Sequence, residues 1–195
     1  ISDSVGERGT DATFTVKLSA KPDTEVVFGV TSGDPAEVAV TSGLPLTFTS
    51  ENWNTAQTVT VTGVDDDVDD GDKTNRVKVA YLSGDTNFST VSGFVDVTTT
   101  DDDTASFSIT PTDVQTVTEA GSKKIYTVTL NSQPSDNVVI TIVENDEDDS
   151  EITLSEASLT FSGTSSDWKN GKSVTVTGKD DVVVDGDQNT VVTFS

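Results

Sequence analysis

Apolar residues alternate with Thr, Ser or Lys at a period of two in one stretch after another: ATFTVKL, VVFGV, TVTVTG, NRVKVAYL, FVDVTT, IYTVTL, VVITIV and SVTVTG. Alternation of this kind sends successive side chains to opposite faces of an extended strand, and the Val and Thr that dominate it suit a pleated, half-buried surface. Gly, Pro, Asp and Asn interrupt the runs at the short, regular spacing of an all-β sandwich. Strands are predicted over 1–5, 12–19, 25–31, 38–49 with a break near Pro45, 57–63, 75–82 and 93–99. Seven such strands suit an immunoglobulin-like Greek key.

The pattern then repeats. Glu7-x-Gly9 matches Glu119-x-Gly121, Phe14-x-Val16-x-Leu18 matches Tyr126-x-Val128-x-Leu130, Pro22 matches Pro134, and Leu46-x-Phe48 matches Leu159-x-Phe161. Trp53 matches Trp168, Val59 to Gly63 matches Val174 to Gly178, and Asp65-Asp66 with Asp70-Gly71-Asp72 matches Asp180-Asp181 with Asp185-Gly186-Asp187. The offset grows from 112 (7 to 119) to 115 (65 to 180), as small loop insertions produce. Two tandem immunoglobulin-like Greek-key β-sandwiches are expected, over residues 1–103 and 104–195. The second ends where the first still runs from Tyr81 to Asp103, so it lacks its last strand. Its open edge is either a truncation or a place where another copy pairs to form a homo-polymer.

Charge changes the picture from a plain scaffold to a cation binder. Acidic residues outnumber Lys and Arg by 34 to 11, a formal charge of −23, which repels nucleic acid and anionic lipid and attracts cations. The chain has no Cys, Met or His, which excludes thiolate and imidazole nucleophiles and zinc sites. Without a His, and with scattered Lys, Thr62 or Ser89 acting as a nucleophile would have no partner base, so enzymatic activity is not expected. No apolar run approaches the roughly 18 residues of a membrane helix, so membrane insertion is not expected either.

The acids are clustered. If successive strands run up and down, Glu7, the Asp34 and Glu37 turn, the run from Asp65 to Asp72, and Asp101-Asp102-Asp103 all fall at one end of the first sandwich. Converging carboxylates repel strongly unless a cation sits among them, and hard oxygen donors in this number favour Ca2+ over magnesium. A bland turn-forming role for DDDVDDGD does not explain why clusters distant in sequence share one pole. An EF-hand loop starting at Asp65 fails, since it puts Asp70 at the sixth position and Arg76 at the twelfth.

The joint order of Glu-x-Gly after the first strand, an Asp in the next acidic turn, DD-x-x-x-x-GD after the fifth strand, and a closing DDD resembles the Calx-β domain. Proteins of that family include sodium–calcium exchangers and large bacterial surface adhesins. The resemblance implies calcium ligands at Glu7, Asp34, Asp65, Asp66, Asp67, Asp70, Asp72, Asp101, Asp102 and Asp103 in the first copy. In the second it implies Glu119, Asp146, Asp180, Asp181, Asp185 and Asp187, with Val182 standing where the first copy has Asp67 and no terminal triplet.

The expected function is a calcium-binding extracellular or cell-surface module, structural or adhesive, whose ion stiffens the link to neighbouring modules of the same chain. A calcium-sensing domain pair and a carbohydrate-binding accessory module of a secreted enzyme remain alternatives. The second would need an exposed aromatic or a flat Thr face outside the core. Trp53 and Trp168 are expected to pack at the end of the core and not to stack on sugars.

Overall fold

The computed structural model describes residues 2–145, 151–182, 184 and 186–195. It divides into two compact units, Ile1–Asp66 with Asp70–Asp102, and Asp67–Asp69 with Asp103–Ser195. Both are built of strands packed as sandwiches, and the protein is all-β. Among the described residues no helix is long and apolar enough to cross a membrane.

The strands of the first unit are β1 (Ser2–Gly6), β2 (Asp11–Val16), β3 (Val26–Ser32), β4 (Val38–Ser42), β5 (Leu46–Phe48), β6 (Gln57–Gly63), β7 (Lys73–Gly84) and β8 (Ser92–Thr100). One sheet has the order β1-β8-β7-β3-β5 and the other β2-β6-β4. All pairings are antiparallel except that of β1 with β8, which is parallel. The stretch expected as one strand with a break near Pro45 is two strands in opposite sheets. β4 pairs with β6 and β5 pairs with β3. Gly43 makes the crossing possible, because at its φ of +82° a Cβ would meet Thr58 O at 2.4 Å.

The period-two pattern is realised as inward apolar rows. Phe14, Val59, Val61 and Val38 from one sheet meet Val26, Phe28, Val30, Val77, Val79, Val97, Leu46 and Phe48 from the other in a single core. Phe28 sits edge-on to Phe48 and Tyr81, with ring centroids 6.2 and 6.5 Å apart. Trp53 packs against this core and Trp168 is buried in that of the second unit.

The second unit contains β9 (Phe107–Thr110), β10 (Lys123–Leu130), β11 (Val138–Glu144), β12 (Ile152–Leu154), β13 (Ser158–Phe161), α1 (Asp167–Asn170), β14 (Lys172–Gly178) and β15 (Val192–Phe194). Its sheets are β12-β14-β10-β9 and β13-β11-β15. Here β15 pairs with β11 as β7 pairs with β3 in the first unit. Residues 114–118, which match β1 in the repeat, form no strand. In the first unit β1 is held by its ladder to β8, from Ser2 opposite Asp96 to Gly6 opposite Thr100.

Both copies keep the glycine that closes the VTVTG strand. A Cβ on Gly63 would lie 2.2 Å from Gly6 O, and one on Gly178 would lie 2.1 Å from Thr118 O. Only glycine lets the end of β6 come this close to the turn that carries Glu7. Gly63→Val is therefore expected to lower stability by about 1–3 kcal/mol, the usual range for forced overpacking, measured by urea denaturation. A wild-type transition midpoint in that variant would refute the close-approach account.

Candidate metal centre

Four segments converge at one end of the first sandwich: the β1–β2 turn, the β3–β4 turn, the β6–β7 loop and the segment after β8. Backbone bonds lock them together. Glu7 N donates to Thr100 O at 3.2 Å, and Val64 N donates to Glu37 O at 2.9 Å. Thr99 Oγ1 donates to the same Glu37 carbonyl at 3.2 Å. The Asp101 carboxylate accepts from Asp70 N at 2.9 Å and from Gly71 N at 2.5 Å, while Asp101 N donates to Asp72 Oδ1 at 3.1 Å. The loop of Asp70 to Asp72 and the tail after β8 thus grip each other.

Within this frame Glu7 is 2 % exposed, and its Oε2 has no hydrogen-bond partner. Glu37 Oε2 is likewise buried and unpartnered. Carboxylate oxygens of Glu7 and Asp66 lie within 4.8 Å of each other. Burial raises the Glu7 pKa from 4.5 to about 7, reinforced by the negative charge of Asp101, Asp66, Glu37 and Asp70. Burial also raises Glu37, with Asp70, Asp66 and Asp34 adding to it and Lys73 opposing.

Acids elsewhere behave in the opposite way. Asp85 accepts from Asp23 N at 2.8 Å and Asn87 N at 3.0 Å, and its bonds to backbone N–H groups, that of Asn87 foremost, hold it below its ordinary value. Asp167 is held down to about 2, first by its bond to Lys172, 2.8 Å away. These two carboxylates cap and tie turns. Glu7 and Glu37 are acids whose burial the protein itself does not satisfy.

The remaining predicted ligands of the first copy are placed as follows. Asp34 is exposed, with its Oδ1 accepting from Ala36 N at 3.0 Å. Asp65 and Asp72 are exposed. Asp70 lies 3.3 Å from Lys73 Nζ, and Asp102 is ion-paired with Arg8. Asp67 belongs to the second unit, where its carboxylate is 3.4 Å from Lys169 Nζ, and Asp103 also belongs to that unit. Glu37 was not in the predicted ligand set. Its signal in the sequence was an acid directly before Val38, the first core residue of β4.

In the second copy Glu119 is exposed where Glu7 is buried. Asp180 and Asp187 are exposed and Asp181 is half-buried. Asp146 and Asp185 lie outside the described residues. No group of three convergent carboxylates forms among Glu119, Asp180, Asp181 and Asp187.

No protein-family model and no curated protein sequence matches the chain. Among solved structures it is similar to CBD12 from CALX1.2, at 14 % identity over 100 % of this chain and 77 % of that one, with a TM-score of 0.41. It is similar to the calcium binding domain CBD12 of CALX1.1, at 14 % identity over 93 % and 74 %, with a TM-score of 0.37. It is also similar to the CsuC-CsuE chaperone-tip adhesion subunit pre-assembly complex from the Csu pili of Acinetobacter baumannii, at 9 % identity over 100 % and 96 %, with a TM-score of 0.36. Likenesses this distant leave the chemistry of the site to the chain's own carboxylates.

The raised Glu7 pKa has a direct consequence for stability. A carboxyl whose folded pKa exceeds its unfolded one favours the fold while protonated, so its contribution is full below about 4.5 and is lost as pH rises through about 7. In chelator, the melting temperature is expected to fall between pH 5 and 7.5, and Glu7→Gln is expected to flatten that fall. An equal slope in both proteins would contradict the burial of an uncompensated Glu7.

Proposed function

We propose that the first sandwich is a calcium-binding module of an extracellular or cell-surface protein, acting as a structural or adhesive repeat and not as an enzyme. One observation carries this reading: two buried glutamate oxygens, on Glu7 and Glu37, have no protein donor and face further carboxylates. An unpaired buried charge is costly, and a cation among the acids removes the cost.

The donor set fits calcium. Every candidate ligand is an oxygen, the carboxylates of Glu7, Glu37, Asp66, Asp70 and Asp101 come from four separate segments, and calcium accepts six to eight oxygens in adaptable geometry. When bound, the ion neutralises charge and cross-links these segments; it performs no chemistry. Asp101 and Asp102 run without a break into the link toward β9, so an ion held by Asp101 also restricts that link. A stiffened spacer is the role this supports. The absence of His and Cys from the whole sequence, which removes imidazole bases and thiolate nucleophiles, supports a non-enzymatic reading.

Calcium at a hundredfold excess over its Kd is expected to stabilise the first unit by about 2.7 kcal/mol, or roughly 10 °C for a domain of this size. Glu7→Gln, Asp66→Asn and Asp101→Asn are each expected to weaken binding in a calorimetric titration, and magnesium to substitute poorly. An unchanged melt on adding calcium would sink the proposal.

A further inference from the structure

The outer face of the β1-β8-β7-β3-β5 sheet differs chemically from the rest of this acidic molecule. Val77 and Val79 of β7 point into the core, so Arg76 and Lys78 stand on the opposite face. By the same alternation around buried Val97, β8 presents Phe94, Asp96 and Thr98 there. Register sets Lys78 opposite Phe94 and Arg76 opposite Asp96, with Thr31 of β3 beyond Lys78.

The four central residues form a connected platform. The Arg76 guanidinium sits 3.7 Å from the Phe94 ring centroid, and its Nε lies 3.1 Å from Asp96 Oδ1. Arg76 is thereby oriented while its side chain stays 60 % exposed. Phe94 is 56 % exposed, the large ring that the core leaves outside. Lys78 has no ion pair among the described residues, and Asp96, the acid of the platform, is already paired with Arg76. The platform therefore presents an uncompensated positive charge on a chain whose total is −23. Next to it the sheet is low, since a Cβ at Gly29 would meet nothing within 4 Å.

We propose that this platform binds a polysaccharide carrying sparse carboxylates, with a sugar ring stacked at Phe94, its carboxylate on Lys78 and Arg76, and a neighbouring hydroxyl donating to Asp96. Charge complementarity selects an anionic ligand. The exposed ring and the free acceptor capacity of Asp96 select a sugar over an acidic peptide, whose side chains carry no donor for a carboxylate. The dense charge of nucleic acid is repelled by the acidic remainder of the chain. This site is separate from the metal centre and does not depend on it.

The test is titration of the whole chain, in chelator, with a hyaluronan oligosaccharide, which has one carboxylate per disaccharide. Binding is expected, with a loss of about tenfold for Phe94→Ala and for Lys78→Ala, and no loss for Lys17→Ala, which removes the same charge elsewhere. Melting curves and calcium titrations of these variants, expected to match wild type, establish that the fold is intact. No binding, or binding indifferent to Phe94→Ala, overturns the proposal. Polyglutamate binding as tightly as the sugar also overturns it, in favour of an acidic peptide.

Discussion

The arrangement of the first unit turns on electrostatic repulsion that the fold itself creates. Glu7 and Glu37 bring buried oxygens without donors into the neighbourhood of Asp66, Asp70 and Asp101. Proteins rarely leave a buried carboxylate unsatisfied, because desolvation costs more than solvent-exposed repulsion does. The surrounding backbone is nevertheless well bonded. Asp101 is gripped by two N–H groups, and Glu7 N and Val64 N are both engaged. The strain thus falls on side-chain charge alone, where a cation can relieve it without rearranging the strands. Lys73 and Arg8 offset part of it through Asp70 and Asp102.

Much of this was legible in the sequence. Alternation around Phe14, Val59-Val61 and Val77-Val79 located the strands, and counting strand directions brought Glu7, Glu37, Asp66, Asp70 and Asp101 to one end. What the pattern did not reveal was burial within that end. Glu7 and Asp34 were equals as sequence positions, yet Glu7 is enclosed by the β1–β8 ladder while Asp34 stays in solvent. Glu37 was masked because its significance lies in one oxygen packed beneath neighbouring loops. Asp67 carried the same expectation as Asp66 but turns to Lys169, a choice made by tertiary contact that local composition does not encode.

The two copies share their core and differ at the acidic turn. Gly178 repeats the close approach of Gly63, and Val128, Ile140, Phe161 and Val174 rebuild the core. Residues 114–118, unlike β1, form no strand, and Glu119 lies in solvent. The same Glu-x-Gly motif is therefore a buried acid in one copy and an exposed turn in the other. Motif identity sets what a side chain is able to do, and burial decides whether it is placed to do it.

The crossing at Gly43 has a mechanical side. Since β4 belongs to one sheet and β5 to the other, a few covalently continuous residues are sewn into both layers. Sliding one sheet over the other would have to stretch that thread as well as shear side-chain packing. The layers of the first sandwich are stitched together as well as stacked.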